Sequence, residues 1–148
     1  TNSLLYTLAM GSSFFNGNAG IAFDMPLNDK LFVTQSDIIK DLAEKGTSVF
    51  IGRCADYVLR GCPNLLKLFI HAPLDFRSVH VSERHGVTVD KAKDIIVKTD
   101  KRRSNYYNYY TGRNWGEGQN YDLVVNTGKQ PLDKIADSII AYIKTLKG

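Results

Sequence analysis

Three places in the sequence carry side chains suited to holding an anion. The first is Arg53, in Gly52-Arg53-Cys54-Ala55-Asp56, directly after the apolar run TSVFIG at 47–52. A guanidinium there presents a planar fork that can grip a phosphate through two hydrogen bonds, although it could equally pair with Asp56 at the surface. The second is the segment 98–113, KTDKRRSNYYNYYTGR, which holds Lys98, Lys101, Arg102, Arg103 and Arg113 against Asp100 alone. The whole chain carries 19 Lys and Arg against 15 Asp and Glu, a formal net charge of +4, so this one segment accounts for the entire excess. A cationic cluster this local calls for an anionic partner more than it describes a general surface, the plain alternative being a solvated helix face. The third is the pair Arg77 and Arg84, seven apart and therefore on one face if 75–85 is helical. By the same spacing Lys98, Arg102 and Tyr106 share a face, and Asp100 can pair with Arg103 three residues on. Four of the eight tyrosines fall at Tyr106, Tyr107, Tyr109 and Tyr110. Such basic–aromatic interleaving can wall a nucleotide pocket, bind single-stranded nucleic acid, or pack as an amphipathic helix. The spacing alone leaves all three open.

Other chemistries find no support. Cys54 and Cys62 are too far apart for a zinc hook, and His71, His80 and His85 fall on different predicted elements. His71 reads as a strand-end residue held by hydrogen bonds. No G-x-S-x-G elbow is present, and no glycine begins the GxxxxGK[ST] loop that cradles phosphates. Asn126-Thr127-Gly128-Lys129 follows a strand but does not fit that loop. No apolar run approaches the length of a membrane helix. Two cysteines make no disulfide framework, and the default expectation is a cytoplasmic protein.

The elements that must position these residues follow from length and pattern. With 148 residues, 43% of them hydrophobic, the chain is sized for one domain with a real core. Residues 3–10 read as the end of a helix and 11–27 as a loop. Asn28 is placed to cap a helix bearing Leu31, Ile38 and Leu42 inward, closed by Gly46. Apolar runs at 47–52, 67–72 and 121–127 read as buried strands. Residues 55–60 form a short helix, Asp75 can cap a helix ending at Gly86, and Thr88 a longer one presenting Val89, Ala92, Ile95, Ile96 and Thr99 on one face. Pro131 opens a last helix with Leu132, Ile135, Ala136, Ile139, Ile140 and Ile143 facing inward. Helices alternating with short apolar strands predict a parallel sheet covered on both faces, an α/β fold whose ligands sit at the carboxyl ends of the strands.

Three strings together, SVFIGRCADYVLRGCPNLLKLFIHAP, TDKRRSNYYNYYTGRNW and NYDLVVNTG, resemble the cytidylate-kinase-like family of bacterial proteins. These are relatives of the nucleoside monophosphate kinases in the P-loop superfamily. The resemblance covers most of 30–148. It implies a three-layer parallel sheet and ATP-dependent phosphoryl transfer, with Mg2+, to a nucleoside monophosphate or similar phosphorylated acceptor. It further implies that 1–46 is a helical acceptor-binding part and that 47–148 is the kinase core, with a mobile lid at about 77–115. Arg53 resembles the arginine that holds the acceptor phosphate, and Arg77 and Arg84 fall on the lid over ATP. Asp100 and Arg103 match an acidic-and-basic lid motif that touches both substrates, with Asp56, Arg102 and Tyr106 in substrate-binding positions nearby.

Two departures accompany the resemblance. An Asp often precedes the Gly-Arg pair in cytidylate kinases, and here that position is Ile51, so a carboxylate ordering Mg2+ would come from elsewhere, Asp56 being one candidate. The phosphate loop and its strand lie N-terminal to the matched segment in this family. With a sheet order of 2-3-1-4-5, the chain supplies strands 3, 4 and 5 and is expected to lack strand 1 and to be inactive alone. Two rival readings stand beside the kinase: a non-catalytic nucleotide- or phosphate-binding regulator on the same fold, and an RNA-binding module using the tyrosine-rich helix.

Overall fold

The computed structural model describes residues 26–146. Its elements are α1 (Leu27–Glu44), α2 (Ala55–Val58), β1 (Leu68–His71), α3 (Leu74–His85), α4 (Val89–Thr111), β2 (Leu123–Asn126) and α5 (Leu132–Thr145). The predicted helix at 3–10 and most of the 11–27 loop lie outside the described residues. The chain groups into two compact units: one runs to Leu65 and takes in Tyr110–Gly112, and the other comprises Leu66–Tyr109 and Arg113 onward.

In the first unit, α1 starts one residue before Asn28, with Pro26 at the N-cap and Asp29 in the first turn. Its buried side chains are Asp29, Phe32, Ser36 and Ile39. The expected inward stripe faces away instead, with Leu31 52%, Ile38 51% and Leu42 46% exposed. The partners decide this. Phe32 stacks on Tyr110 with ring centroids 4.1 Å apart and planes 10° from parallel, and the Tyr110 hydroxyl donates to the buried Asp29 carboxylate at 2.9 Å. Two turns along from Phe32, Ile39 packs with Ala55 and Leu59 of the α2 region in the unit's core, joined by Ala43, Phe50, Val58 and Leu65. Ser36 returns its hydroxyl to the Phe32 carbonyl at 2.8 Å, so the one buried alcohol on this face is satisfied within its own helix.

The run 47–52 is not a strand. Side chains alternate along extended backbone, and here only one side finds a partner. Phe50 packs on the Ile39 core, while Val49 is 90% and Ile51 92% exposed. A strand is made by its ladder, and among the described residues nothing pairs with this one.

The other two predicted strands form, slightly shortened. β1 and β2 pair in parallel, Leu68 opposite Leu123 and His71 opposite Asn126. These make the α/β character of the described chain: a two-stranded parallel sheet whose strands are linked through α3 and α4. The Asp122 carboxylate accepts the Lys67 backbone N–H at 2.7 Å and fixes the start of the pair. At the carboxyl ends, Thr127 N–H donates to the His71 carbonyl at 2.8 Å, and the Asn126 side chain accepts Gly128 N–H at 2.9 Å. Any Cβ at Gly128 would stand 2.7 Å from Pro73 Cδ, so only glycine lets the two strand ends approach this closely. The sheet is thinly covered, with Ile70 51% and Val124 48% exposed.

Gly86, at φ 62°, stops α3 as its sequence position predicts, and Gly112, at φ 67°, stops α4 in the same way. Thr88 Oγ1 accepts Lys91 N–H at 3.3 Å, the expected cap of α4, whose Ala92 and Ile96 are buried. α3 begins after Pro73, with Asp75 inside its first turn rather than capping it. α5 follows Pro131 as predicted, but none of its residues is buried, and Leu132 remains 69% and Ile140 50% exposed. Its amphipathic pattern is real, and among the described residues little covers its apolar face. No helix of the described residues is long and apolar enough to cross a membrane.

Candidate functional site

The first unit delivers Arg53 on an unusual turn. Gly52, Arg53 and Cys54 have φ of 72°, 57° and 56°, three consecutive left-handed residues, two of which bear a Cβ. Each such residue costs on the order of 1–2 kcal/mol locally, so the turn persists only because its surroundings hold it. Ala55 N–H closes it on the Gly52 carbonyl at 3.1 Å, and α2 beyond is anchored by Ala55 and Leu59 in the core. The turn lifts Arg53 into solvent. Arg53 makes no ion pair or hydrogen bond among the described residues, so the surface pair with Asp56 does not form. Its guanidinium fork is open to an incoming anion.

Cys54 faces the other way. It is buried, and its thiol is pushed up to about 12, chiefly by burial and secondly by the Asp56 charge. At pH 8 that keeps the thiol protonated, and thiolate is the reactive form. Alkylation of the folded chain at pH 8 is therefore expected to add one label, at the exposed Cys62, and a second only on unfolding. Intact-mass measurement reads the count. Labelling of Cys54 at the rate of Cys62 in native protein would contradict the buried placement.

The second unit assembles the other cations on α3 and α4. Arg77 donates through one terminal nitrogen to Asp100 Oδ2 at 2.6 Å, and Arg103 approaches Oδ1 of the same carboxylate at 3.6 Å. The Asp100–Arg103 pair is the one its i,i+3 spacing predicts. The Arg77 link, 23 residues distant, was not foreseeable from spacing. Among the described residues, Arg77 Nε is buried without an acceptor. A second bridge joins the same helices, Lys93 to Asp75 at 2.8 Å; it lowers the Asp75 pKa and raises that of Lys93, each by the hydrogen bond first and the charge second. Arg84 lies exposed in the last turn of α3, and Lys98 and Arg102 are exposed on α4, while Tyr106 is half-buried. Asp56 is half-buried in the first turn of α2. Arg53 and Asp56 thus belong to one unit, and Arg77, Arg84, Asp100, Arg102, Arg103 and Tyr106 to the other.

Sequence reasoning missed Asp29. An acidic residue in a first turn reads as a partner of the helix dipole, and nothing local marks it as the buried acceptor of a tyrosine 81 residues on. It also missed Asn108, whose side-chain oxygen accepts Trp115 N–H at 2.8 Å and so shapes the loop after α4.

The sequence profile of the cytidylate kinase-like family matches residues 1–129. The chain belongs to that family. It is 30% identical over 115 residues to the cytidylate kinase of Methanopyrus kandleri, covering 72% of this chain and 60% of that protein. It is 31% identical over 90 residues to the cytidylate kinase of Pyrococcus horikoshii, covering 60% of this chain and 45% of that protein. A longer match, 27% identical over 139 residues and 94% of this chain, takes up 26% of a uronate isomerase from Corynebacterium glutamicum. The chain thus spans only part of each of these relatives. Among solved structures, an uncharacterized protein from Eubacterium ventriosum superposes with a TM-score of 0.75 at 34% identity, over 80% of this chain and 74% of that one.

No three metal-ligating side chains converge among the described residues, and the position preceding Gly52 is the exposed Ile51. A Mg2+ ion held largely by substrate phosphates would need only one or two carboxylates, and Asp56, half-buried in the first turn of α2, is one candidate among the described residues.

Proposed function

We propose that the full-length protein is a phosphotransferase that moves the terminal phosphoryl group of ATP to a nucleoside monophosphate, cytidylate being the first candidate acceptor. Membership of the cytidylate kinase-like family carries this reading. In it, Arg53 holds the acceptor phosphate, and Arg77, Arg84 and Arg103 gather on the lid to neutralise charge on the transferring group. Asp56, Asp100, Arg102 and Tyr106 line or support the substrate sites. Phosphoryl transfer depends mostly on positioning and charge neutralisation, so a set of arginines suits it. The phosphate loop and the central strand of a three-layer sheet would come from outside the described residues, and Asp56 is a candidate carboxylate for ordering Mg2+.

The test is ATP consumption by the full-length protein against a panel of CMP, dCMP, UMP, AMP and a hexuronate, the last chosen because of the isomerase match. Acceptor-dependent ADP release with CMP or dCMP is the expected result. ATP binding without turnover on any acceptor would replace the kinase with a regulator on the same fold. Nucleic-acid binding that falls steeply with salt, without nucleotide turnover, would favour the RNA-binding reading.

A further inference from the structure

We infer that Tyr110 and Asp29 form a transmission latch: they tie the last turn of α4 to α1, so that a shift of α4 on binding a polyanion is handed to α1 and to the turn that carries Arg53. The inference rests on the kinase reading only for what the polyanion is. Tyr110 lies at the end of α4 yet groups with the first unit, while the helix up to Tyr109 groups with the second. Its ring lies flat on Phe32, 4.1 Å away, and its hydroxyl donates to Asp29 at 2.9 Å. Two residues earlier the same helix is held differently. The Asn108 side chain accepts Trp115 N–H at 2.8 Å, and Trp115 meets Phe69 of β1 edge to face at 5.4 Å. Phe32 and Asp29 are 7% and 8% exposed. A carboxylate buried that deeply is costly to leave without its donor, so the contact resists partial separation and α1 follows Tyr110 rather than parting from it. Arg103 stands two turns before Tyr110 on the same face of α4, so an anion drawn to the cationic segment acts on the face that ends at the latch. At the other end of the path, Ile39 lies ten residues beyond Asp29, about 15 Å at the helical rise. It packs on Ala55 and Leu59 beneath the Arg53 turn. That packing supports the left-handed backbone of Gly52, Arg53 and Cys54, so a displacement of Ile39 reaches the backbone that presents Arg53.

The competing account is ordinary packing, in which Tyr110 stabilises the fold and transmits nothing. Ser36 supplies the control. Its buried hydroxyl also bonds on α1, to the Phe32 carbonyl, and that bond stays within the helix. Hydrogen exchange of the full-length protein, with and without tripolyphosphate, separates the two accounts. In wild type, tripolyphosphate is expected to slow exchange in α1 as well as in α4, by roughly fivefold or more, the lower range for coupled sites. In Tyr110→Phe, which keeps the ring and removes the hydroxyl, the slowing in α4 should persist while that in α1 falls below about twofold. Ser36→Ala should keep both responses, whatever stability it loses. No slowing in α1 of the wild type, an undiminished α1 response in Tyr110→Phe, or an equal loss in Ser36→Ala would each overturn the latch. If Tyr110→Phe fails to fold, Phe32→Leu decides, since it removes the stack and keeps the hydroxyl bond; an undiminished α1 response there would overturn the inference. The kinase reading is judged by acceptor-dependent ADP release and the latch by exchange under tripolyphosphate, so an inactive wild type would count against the first and not the second.

Discussion

Arg53→Ala in the full-length protein is expected to weaken acceptor binding by about 1.5–3 kcal/mol, roughly ten- to a hundredfold, with little change in melting temperature. The two halves of that expectation have different causes. Arg53 is exposed and bonded to nothing among the described residues, so its removal orphans no buried group and should cost the fold little. Alanine keeps the strained left-handed backbone that arginine already adopts at φ 57°, so the turn itself is not retuned. What is lost is the fork. Arg53→Lys restores the charge without the paired donors, and it should recover only part of the affinity, because an ammonium cannot grip a phosphate edge-on. Calorimetric titration with CMP, alongside steady-state kinetics and a thermal melt, separates the halves. Unaltered CMP affinity in Arg53→Ala would remove this residue from the site. A large drop in melting temperature would show instead that it holds the turn.

Local signals in the sequence were reliable where the physics is local. Gly86 and Gly112 end their helices because a left-handed residue must follow each, and Thr88 caps α4 through a bond three residues long. β1 and β2 were legible as short apolar runs bounded by turn residues. The pairing of Asp100 with Arg103 follows from one helical turn. Failures cluster where the deciding partner is distant in sequence. α1 carries two apolar stripes of the same period, one through Leu31, Ile38 and Leu42 and one through Phe32 and Ile39. Periodicity cannot choose between them; Tyr110 and the α2 core do. The run 47–52 reads as a buried strand because it is apolar throughout, but composition cannot supply a ladder partner. α5 shows the same limit, since an amphipathic pattern says which face wants cover and not whether cover is there. In the candidate site, the residue types were legible, whereas the Arg77–Asp100 contact, which joins cations of α3 and α4, crosses between helices and was not.

The packing beneath Arg53 makes the strongest stability prediction, and it carries a functional consequence. α2 is four residues long, far too short to be stable on its own propensity. It is held by Ala55 and by Leu59, which is 4% exposed, against Ile39 of α1. Leu59→Ala is therefore expected to cost about 2–5 kcal/mol, the range for emptying a buried leucine site. The same cavity loosens the anchor that keeps Gly52, Arg53 and Cys54 left-handed, a conformation two of those residues would leave if free. The variant should thus lose affinity for CMP even at temperatures where it stays folded, and Cys54 should become open to alkylation. Leu59→Met, which nearly conserves volume, should cost less than about 1.5 kcal/mol and leave both properties near wild type. Chemical denaturation, calorimetric titration and thiol labelling of the two variants test the chain of cause. If Leu59→Ala is destabilised as expected yet binds CMP as wild type does, with Cys54 still protected, the Arg53 turn does not depend on this core.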